Sequence, residues 1–181
     1  MSRRTAEADS GVETLLSKAQ IARRVDTVAA RVAPALFDDT VAVVLLLGGL
    51  WFAADLTRAL AARGRPTDFD ALWLSSYGDG QIGAGACVLR AGLQRPIKGR
   101  HALIVDDVFD SGVSLAHAVG VVRDAGARAY TTVVFARKPW PTRRALEPDF
   151  VAWDAPSRFM VGYGMDAAGE RRGQPFIGTT R

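Results

Sequence analysis

Residues Leu103–Leu115 read LIVDDVFDSGVSL. The apolar run from Ala102 to Val105 has the length and bounds of a buried strand, and Asp106 and Asp107 follow where such a strand reaches its carboxyl end. Asp110, Ser111, Gly112 and Ser114 then make a short turn, and Leu115, Ala118, Val119 and Val122 recur at helical spacing. A strand, an acidic loop and a helix N-terminus in that order make a place to hold a phosphorylated sugar. Backbone N–H groups and serine hydroxyls would face a phosphate, and the helix dipole favours its charge. Two adjacent carboxylates cannot bind phosphate, so they face sugar hydroxyls or a bridging magnesium ion. The plainer alternative is a βα turn capped by Ser111 or Ser114 with surface acids nearby.

Upstream, Val41 to Leu47 reads as a second buried strand, broken by Gly48-Gly49 before a helix of about Trp51 to Arg63. Phe52, Ala53, Leu56, Ala59 and Leu60 form the apolar face of that helix. A glycine pair at this point lets backbone amides approach an anion closely, although a tight βα turn needs no more than the same pair. The second phosphate-type turn at Asp110 favours the anion loop. Further upstream, Ser17-Lys-Ala-Gln20 has the form of a capping box, and Ile21, Val25, Val28 and Val32 give helical spacing up to Pro34. Residues 1–12 are polar and aperiodic and read as a disordered tail, leaving 13–181 as a single domain.

Between the two strand–loop–helix units, Phe69 to Ser76 and Cys87 to Arg90 read as a hairpin, and the intervening stretch from Tyr77 to Gly85 holds four glycines in nine residues. Such a stretch cannot pack a core and suits a lid that excludes water from a reactive centre. After the central helix, Gly126 is the stop signal, and Tyr130 to Ala136 forms the next strand with Lys138 at its carboxyl end. Asp149 to Trp153 reads as one more short strand.

With 181 residues and 49% hydrophobic content, one domain with a sizeable core is expected. The single cysteine, Cys87, excludes an internal disulfide framework and fits a reducing compartment. The longest apolar run is seven residues, and the charged N-terminus does not read as a secretory signal, so the expected location is cytoplasmic. The net charge of +4 invites a nucleic-acid reading, but the basic residues are scattered among acids and their short pairs are not interleaved with aromatics. Local basicity is also what a binder of pyrophosphate and phosphate needs. No membrane partner and no nucleic-acid partner is expected.

The full LIVDDVFDSGVSL string resembles the phosphoribosyl-pyrophosphate-binding motif of the type I phosphoribosyltransferases. The flanks LLLGGLWFAADLTRAL, SSYGDG and DFVAW…FMVGYGMD…RRGQPFIG sharpen the resemblance to the hypoxanthine-guanine phosphoribosyltransferase family. That resemblance implies an α/β fold, a mostly parallel central sheet flanked by helices, with a small hood from about 13–36 and 149–181. It implies transfer of a phosphoribosyl group to a 6-oxopurine (hypoxanthine and/or guanine), with magnesium as cofactor and a homodimer or homotetramer as the assembly.

The resemblance also distributes roles. Asp110 is the candidate proton acceptor, and Asp106 and Asp107 take the ribose hydroxyls directly or through magnesium. Ser111, Gly112, Val113 and Ser114 hold the 5′-phosphate. Gly48, Gly49, Ser76, Tyr77 and Arg143 hold pyrophosphate. Lys138 reads the 6-oxo group, Phe150 stacks on the purine, and the Val151 backbone meets its other edge. Lysine suits such a reader, because a compact ammonium can donate to a single carbonyl and the chain otherwise prefers arginine, 20 to 3.

Two departures stand out. Leu47 occupies the place of a lysine usual in the family, and Ser157 stands in Ala155-Pro156-Ser157 where an aspartate is expected to help hold a second magnesium. On that reading, Ser157→Asp lowers the magnesium needed for activity. The departures admit a catalytically impaired nucleotide-binding relative. The basic balance admits a phosphoribosyltransferase-fold regulator that binds RNA, such as the pyrimidine operon attenuator, against which Asp110 argues because that family lacks an acid there.

Overall fold

The computed structural model describes residues 11–76 and 87–180. In chain order these form β1 (Val12–Leu16), α1 (Lys18–Val32), a 3-10 turn (Ala33–Ala35), β2 (Val41–Leu46), α2 (Leu50–Ala61), β3 (Asp68–Ser76) and β4 (Cys87–Ala91). The chain continues through β5 (His101–Phe109), α3 (Val113–Asp124), β6 (Ala129–Arg137), β7 (Phe150–Asp154), β8 (Met160–Val161) and β9 (Ile177–Thr180). The lid expected over 77–85 lies outside the described residues.

The main sheet has strand order β4-β3-β2-β5-β6-β7, with only β4 antiparallel to its neighbour. Strands buried on both faces must be apolar at every position, which is why β2 reads VAVVLL without alternation. Val41, Val43 and Leu45 pack with Ile104, Leu115 and Val122 on the α3 side. Val44 packs with Leu103, Phe52 and Val28 on the α1 and α2 side. The expected α/β architecture, with helices on both faces, is the observed one.

Local signals account for the helix ends. Ser17 and Gln20 form the capping box of α1, with the Ser17 amide donating to Gln20 Oε1 at 2.8 Å, and Pro34 follows directly after its last turn. Gly112, at φ +85°, turns the chain into α3 in place of a serine cap.

The hood is smaller than the sequence implies. It is a three-stranded antiparallel sheet, β1-β9-β8, and Val12, assigned to the tail by polarity, already starts β1 opposite Thr180. Helix α1 and strand β7 belong to the main body instead. The apolar stripe of α1 (Ile21, Val25, Val28, Ala29 and Val32) is buried in the core shared with α2, and β7 completes the parallel sheet beside β6.

Candidate active site

Strands β2 and β5 are neighbours, yet their crossovers run to opposite sides: β2 leads through α2 to β3, and β5 leads through α3 to β6. The loops leaving their carboxyl ends diverge and open a crevice, the switch point where open α/β sheets bind ligands. The Gly48-Gly49 turn and the Asp106-Asp107 pair meet there. A cavity of about 230 Å³ is lined by Gly48, Asp106, Asp107, Ser114, Asp166 and Arg172. Asp106 and Asp107 lie within the final stretch of β5, which runs four residues past the expected Val105 because pairing with β6 continues to Phe109 opposite Arg137.

Contact in this crevice requires glycine. A Cβ on Gly48 would stand 2.0 Å from Asp107 Oδ2, so the loop backbone lies directly on the carboxylate. The two glycines do not contribute equally, because the Gly49 amide donates to Leu45 O at 3.1 Å to close the turn. Only the Gly48 amide of the pair has no protein acceptor among the described residues. Leu47 is 46% exposed beside it.

The acids carry an electrostatic penalty. Burial, the Asp107 charge and a hydrogen bond to Asp107 push the Asp106 carboxyl well above the usual carboxylate range. Burial also raises Asp107, opposed by its hydrogen bonds with Asp106 and the Val108 amide and by the Arg172 charge. Across the cavity, Asp166 Oδ1 pairs with Arg172 Nη2 at 2.6 Å, and Arg172 Nη1 donates to Gly164 O at 2.6 Å. Two buried carboxylates facing a third are a hard-oxygen donor set that a divalent cation would relieve, and magnesium fits its chemistry. Among the described residues no three such side chains are close enough to enclose a metal alone.

The 110–114 turn is open. Val113 donates its amide to Ser111 Oγ at 3.4 Å, whereas the amides of Ser111, Gly112 and Ser114 have no protein acceptor among the described residues. Gly112, rather than either serine, is the N-cap of α3; Ser111 Oγ reaches only the Val113 amide. Ser76 is the last residue of β3, its side chain and Tyr77 lying outside the described residues.

On the far side, Lys138 follows β6 and its Nζ lies 3.5 Å from Asp110 Oδ2, the lysine side chain 17% exposed and the aspartate 49%. Arg144, rather than Arg143, reaches this edge: its Nε donates to Asp110 O at 2.7 Å and its Nη2 to Lys138 O at 2.5 Å. Arg143 is an exposed residue that does not line the Asp106–Asp107 cavity, where Arg172 is the cation. Its expected pyrophosphate role is therefore corrected.

Three further expectations are corrected. Phe150 sits early in β7, level with Val133, where it packs against the α1-side core and the Arg31 guanidinium lies 5.7 Å from its ring. The Val151 carbonyl accepts from Arg31 Nη1 at 3.2 Å, and neither Phe150 nor Val151 lines the Lys138 cavity. Ser157 is exposed on the turn after β7 and does not line the acidic cavity. Two exposed aromatics flank this edge in sequence: Trp140, 42% exposed and two residues beyond Lys138, and Phe159, 56% exposed and four residues beyond Ala155, which lines the Lys138 cavity. Asp166 and Arg172 lie within the closing motifs, and both line the acidic cavity. A carboxylate and an arginine at opposite ends of a Gly-containing turn were the available signal.

Comparison with known proteins agrees with this geometry. The family model for the phosphoribosyl transferase domain matches residues 11–168. The chain is 30% identical over 171 residues to a hypoxanthine-guanine phosphoribosyltransferase of Bacillus subtilis (strain 168), covering 93% of each. It is 34% identical over 141 residues to the enzyme of that name from Mycobacterium bovis, covering 78% of this chain and 68% of the relative. A solved Trypanosoma cruzi hypoxanthine phosphoribosyl transferase superposes with a TM-score of 0.87 at 27% identity, covering 98% of this chain and 95% of that one.

Proposed function

The chain belongs to the hypoxanthine-guanine phosphoribosyltransferase family, and from that premise we propose how its residues divide the work of purine salvage. It is a phosphoribosyltransferase that joins a 6-oxopurine to the ribose 5-phosphate of phosphoribosyl pyrophosphate and releases pyrophosphate. The observation that carries the reading is the meeting of the Gly48 backbone with the Asp107 carboxylate at the sheet's switch point.

The bond that breaks joins C1′ to a pyrophosphate oxygen, and the bond that forms joins C1′ to an imidazole-edge nitrogen of the purine. The sugar passes through an oxocarbenium-like state, which neighbouring carboxylates stabilise. Asp106 and Asp107 take the ribose hydroxyls, and the open amides of the 110–114 turn with Ser111 and Ser114 hold the 5′-phosphate. The Gly48 amide and Arg172 face the leaving pyrophosphate, joined by Ser76 and Tyr77 on the family resemblance. Asp110 accepts the proton lost by the attacking nitrogen. Lys138 donates to the 6-oxo group, and Phe159 covers the purine face.

Asp106 and Asp107 would hold magnesium, with Asp166 lining the same cavity. When bound, the ion supplies charge neutralisation to the leaving polyanion. A homodimer or homotetramer is supported by an exposed apolar patch near the pyrophosphate loop. Phe69 (38% exposed) and Trp73 (46%) share a face of β3, where Trp73 pairs with Leu46, Leu47 (46%) follows β2, and Leu50 (39%) opens α2. No helix among the described residues is long and apolar enough to cross a membrane. The cytoplasm is the proposed location, on the one-cysteine composition.

The deciding experiment supplies phosphoribosyl pyrophosphate, magnesium and each of hypoxanthine, guanine and xanthine, separately and in competition. Nucleotide and pyrophosphate should appear in equal amounts with hypoxanthine or guanine. Absence of nucleotide from both bases would remove the assignment.

A further inference from the structure

We propose that Arg144 is the positioning residue that sets Asp110 and Lys138 at their working separation, an inference that rests on the division of labour above. Those two residues leave different strands, β5 and β6. Their side chains meet at only 3.5 Å, and the Asp110 side chain is half exposed, so the pairing is too weak to locate either one. Their backbones are held instead. One guanidinium donates through Nε to Asp110 O at 2.7 Å and through Nη2 to Lys138 O at 2.5 Å. Its third direction is closed by Glu147, Nη1 to Oε1 at 3.1 Å.

The arginine is itself fixed. Its side chain is 7% exposed, and the guanidinium lies 4.5 Å from the Phe109 ring centre. That ring also supports the phosphate turn, since a Cβ on Gly112 would stand 3.1 Å from it. A planar fork with donors in three directions suits this junction, and a lysine offers one point charge in its place. The Arg144 donors reach carbonyls whose side chains handle the purine, whereas its apolar stem lies by the phosphate turn, where a Cβ on Gly112 would stand 3.6 Å from Arg144 Cδ, and the arginine does not line the Asp106–Asp107 cavity. Its loss should therefore separate purine kinetics from sugar-phosphate kinetics.

The test uses the full chain with Arg144→Met, which keeps the packing stem over Phe109 but no donors, and Arg144→Lys, which keeps the charge. For Arg144→Met, kcat should fall about tenfold or more and the hypoxanthine KM should rise several-fold, with the phosphoribosyl pyrophosphate KM within about twofold of wild type. Arg144→Lys should recover part of kcat. An unchanged hypoxanthine KM and kcat in Arg144→Met overturns the inference. So does an equal rise of both KM values in parallel with a large fall in unfolding midpoint, which marks a merely structural residue. If wild-type protein forms no nucleotide at all, the functional reading falls and this inference with it. Wild-type turnover with unaltered variants removes this inference alone.

Discussion

Gly164 rests on the carbonyl of Gly48: a Cβ at 164 would stand 2.1 Å from that oxygen, and the residue's φ of +101° is strained for any L side chain. The hood therefore seats directly on the pyrophosphate loop, and this contact brings Asp166 and Arg172 to the acidic cavity. Gly164→Ala should lower unfolding free energy by about 2–4 kcal/mol, the combined cost of backbone strain and a forced shift. It should also raise the phosphoribosyl pyrophosphate KM. Gly99→Ala is the comparison, since Gly99 has φ +73° but nothing within 4 Å of its added Cβ. It should cost only about 1–2 kcal/mol, with kinetics unchanged. Denaturant titration and steady-state assays check both, and equal losses would discount the hood contact.

Asp110→Asn keeps the shape of the side chain and removes its basicity. If Asp110 accepts the purine proton, kcat should fall by about 10²–10⁴ while binding of phosphoribosyl pyrophosphate changes little. Turnover by single-mixing kinetics and sugar-phosphate binding by calorimetry measure the two separately. Unchanged kcat would reassign the proton to another group.

The sheet and the acid loop were legible in sequence because their causes are local. Continuous apolar runs require burial on both faces, and glycine pairs and acid-rich turns mark strand ends. The purine side was legible only in part. Phe150 and Phe159 each precede an apolar residue, and nothing local separates a β7 residue packed under Arg31 from an aromatic left exposed on the turn before β8. Which run enters the sheet is decided by pairing with β6, a long-range event. Arg143 and Arg144 are adjacent for the same reason: only the loop's return to Asp110 distinguishes the exposed one from the buried one.

That distinction is testable on the two phenylalanines. Phe159→Ala should raise the hypoxanthine KM by about tenfold, in line with ~1–3 kcal/mol for stacking a base on an aromatic ring. Phe150→Leu should leave KM within twofold and lower the unfolding midpoint by about 2–4 °C, the shift that ~1 kcal/mol produces in a chain of this size. The opposite pattern would restore Phe150 to the site.

A pH-dependent term resides at the other end of β5. His101 is 1% exposed, with Nδ1 3.0 Å from Thr40 Oγ1 and Nε2 3.0 Å from Thr131 Oγ1. Burial and the Arg128 charge depress its pKa, with Asp39 opposing, so the unfolded chain binds the extra proton more readily than the folded one. Its contribution to stability is present above the unfolded value of about 6.5 and is lost as pH falls below it toward the folded value. His101→Gln can keep both hydroxyl partners and removes the titration. Denaturant unfolding across this range should show wild type losing more stability on acidification than the variant. Parallel curves would mean that the folded imidazole titrates normally.

The second-metal question turns on which side chain faces Asp106 and Asp107. Ser157 was the sequence expectation, but it is exposed on the turn after β7, whereas Asp166 lines the cavity with Arg172. Ser157→Asp should therefore leave the magnesium dependence of activity where it is, the reverse of what the sequence implied. Asp166→Asn removes one anionic oxygen donor and replaces the 2.6 Å ionic partner of Arg172 with a neutral amide. It should raise the magnesium concentration for half-maximal rate by about tenfold, because a neutral amide is a weaker ligand for a hard cation. With its charge no longer neutralised by a carboxylate, Arg172 should at the same time hold pyrophosphate more tightly, so product inhibition by pyrophosphate should strengthen while the magnesium requirement rises. A magnesium curve displaced by Ser157→Asp and untouched by Asp166→Asn would return the ion to the β7 turn.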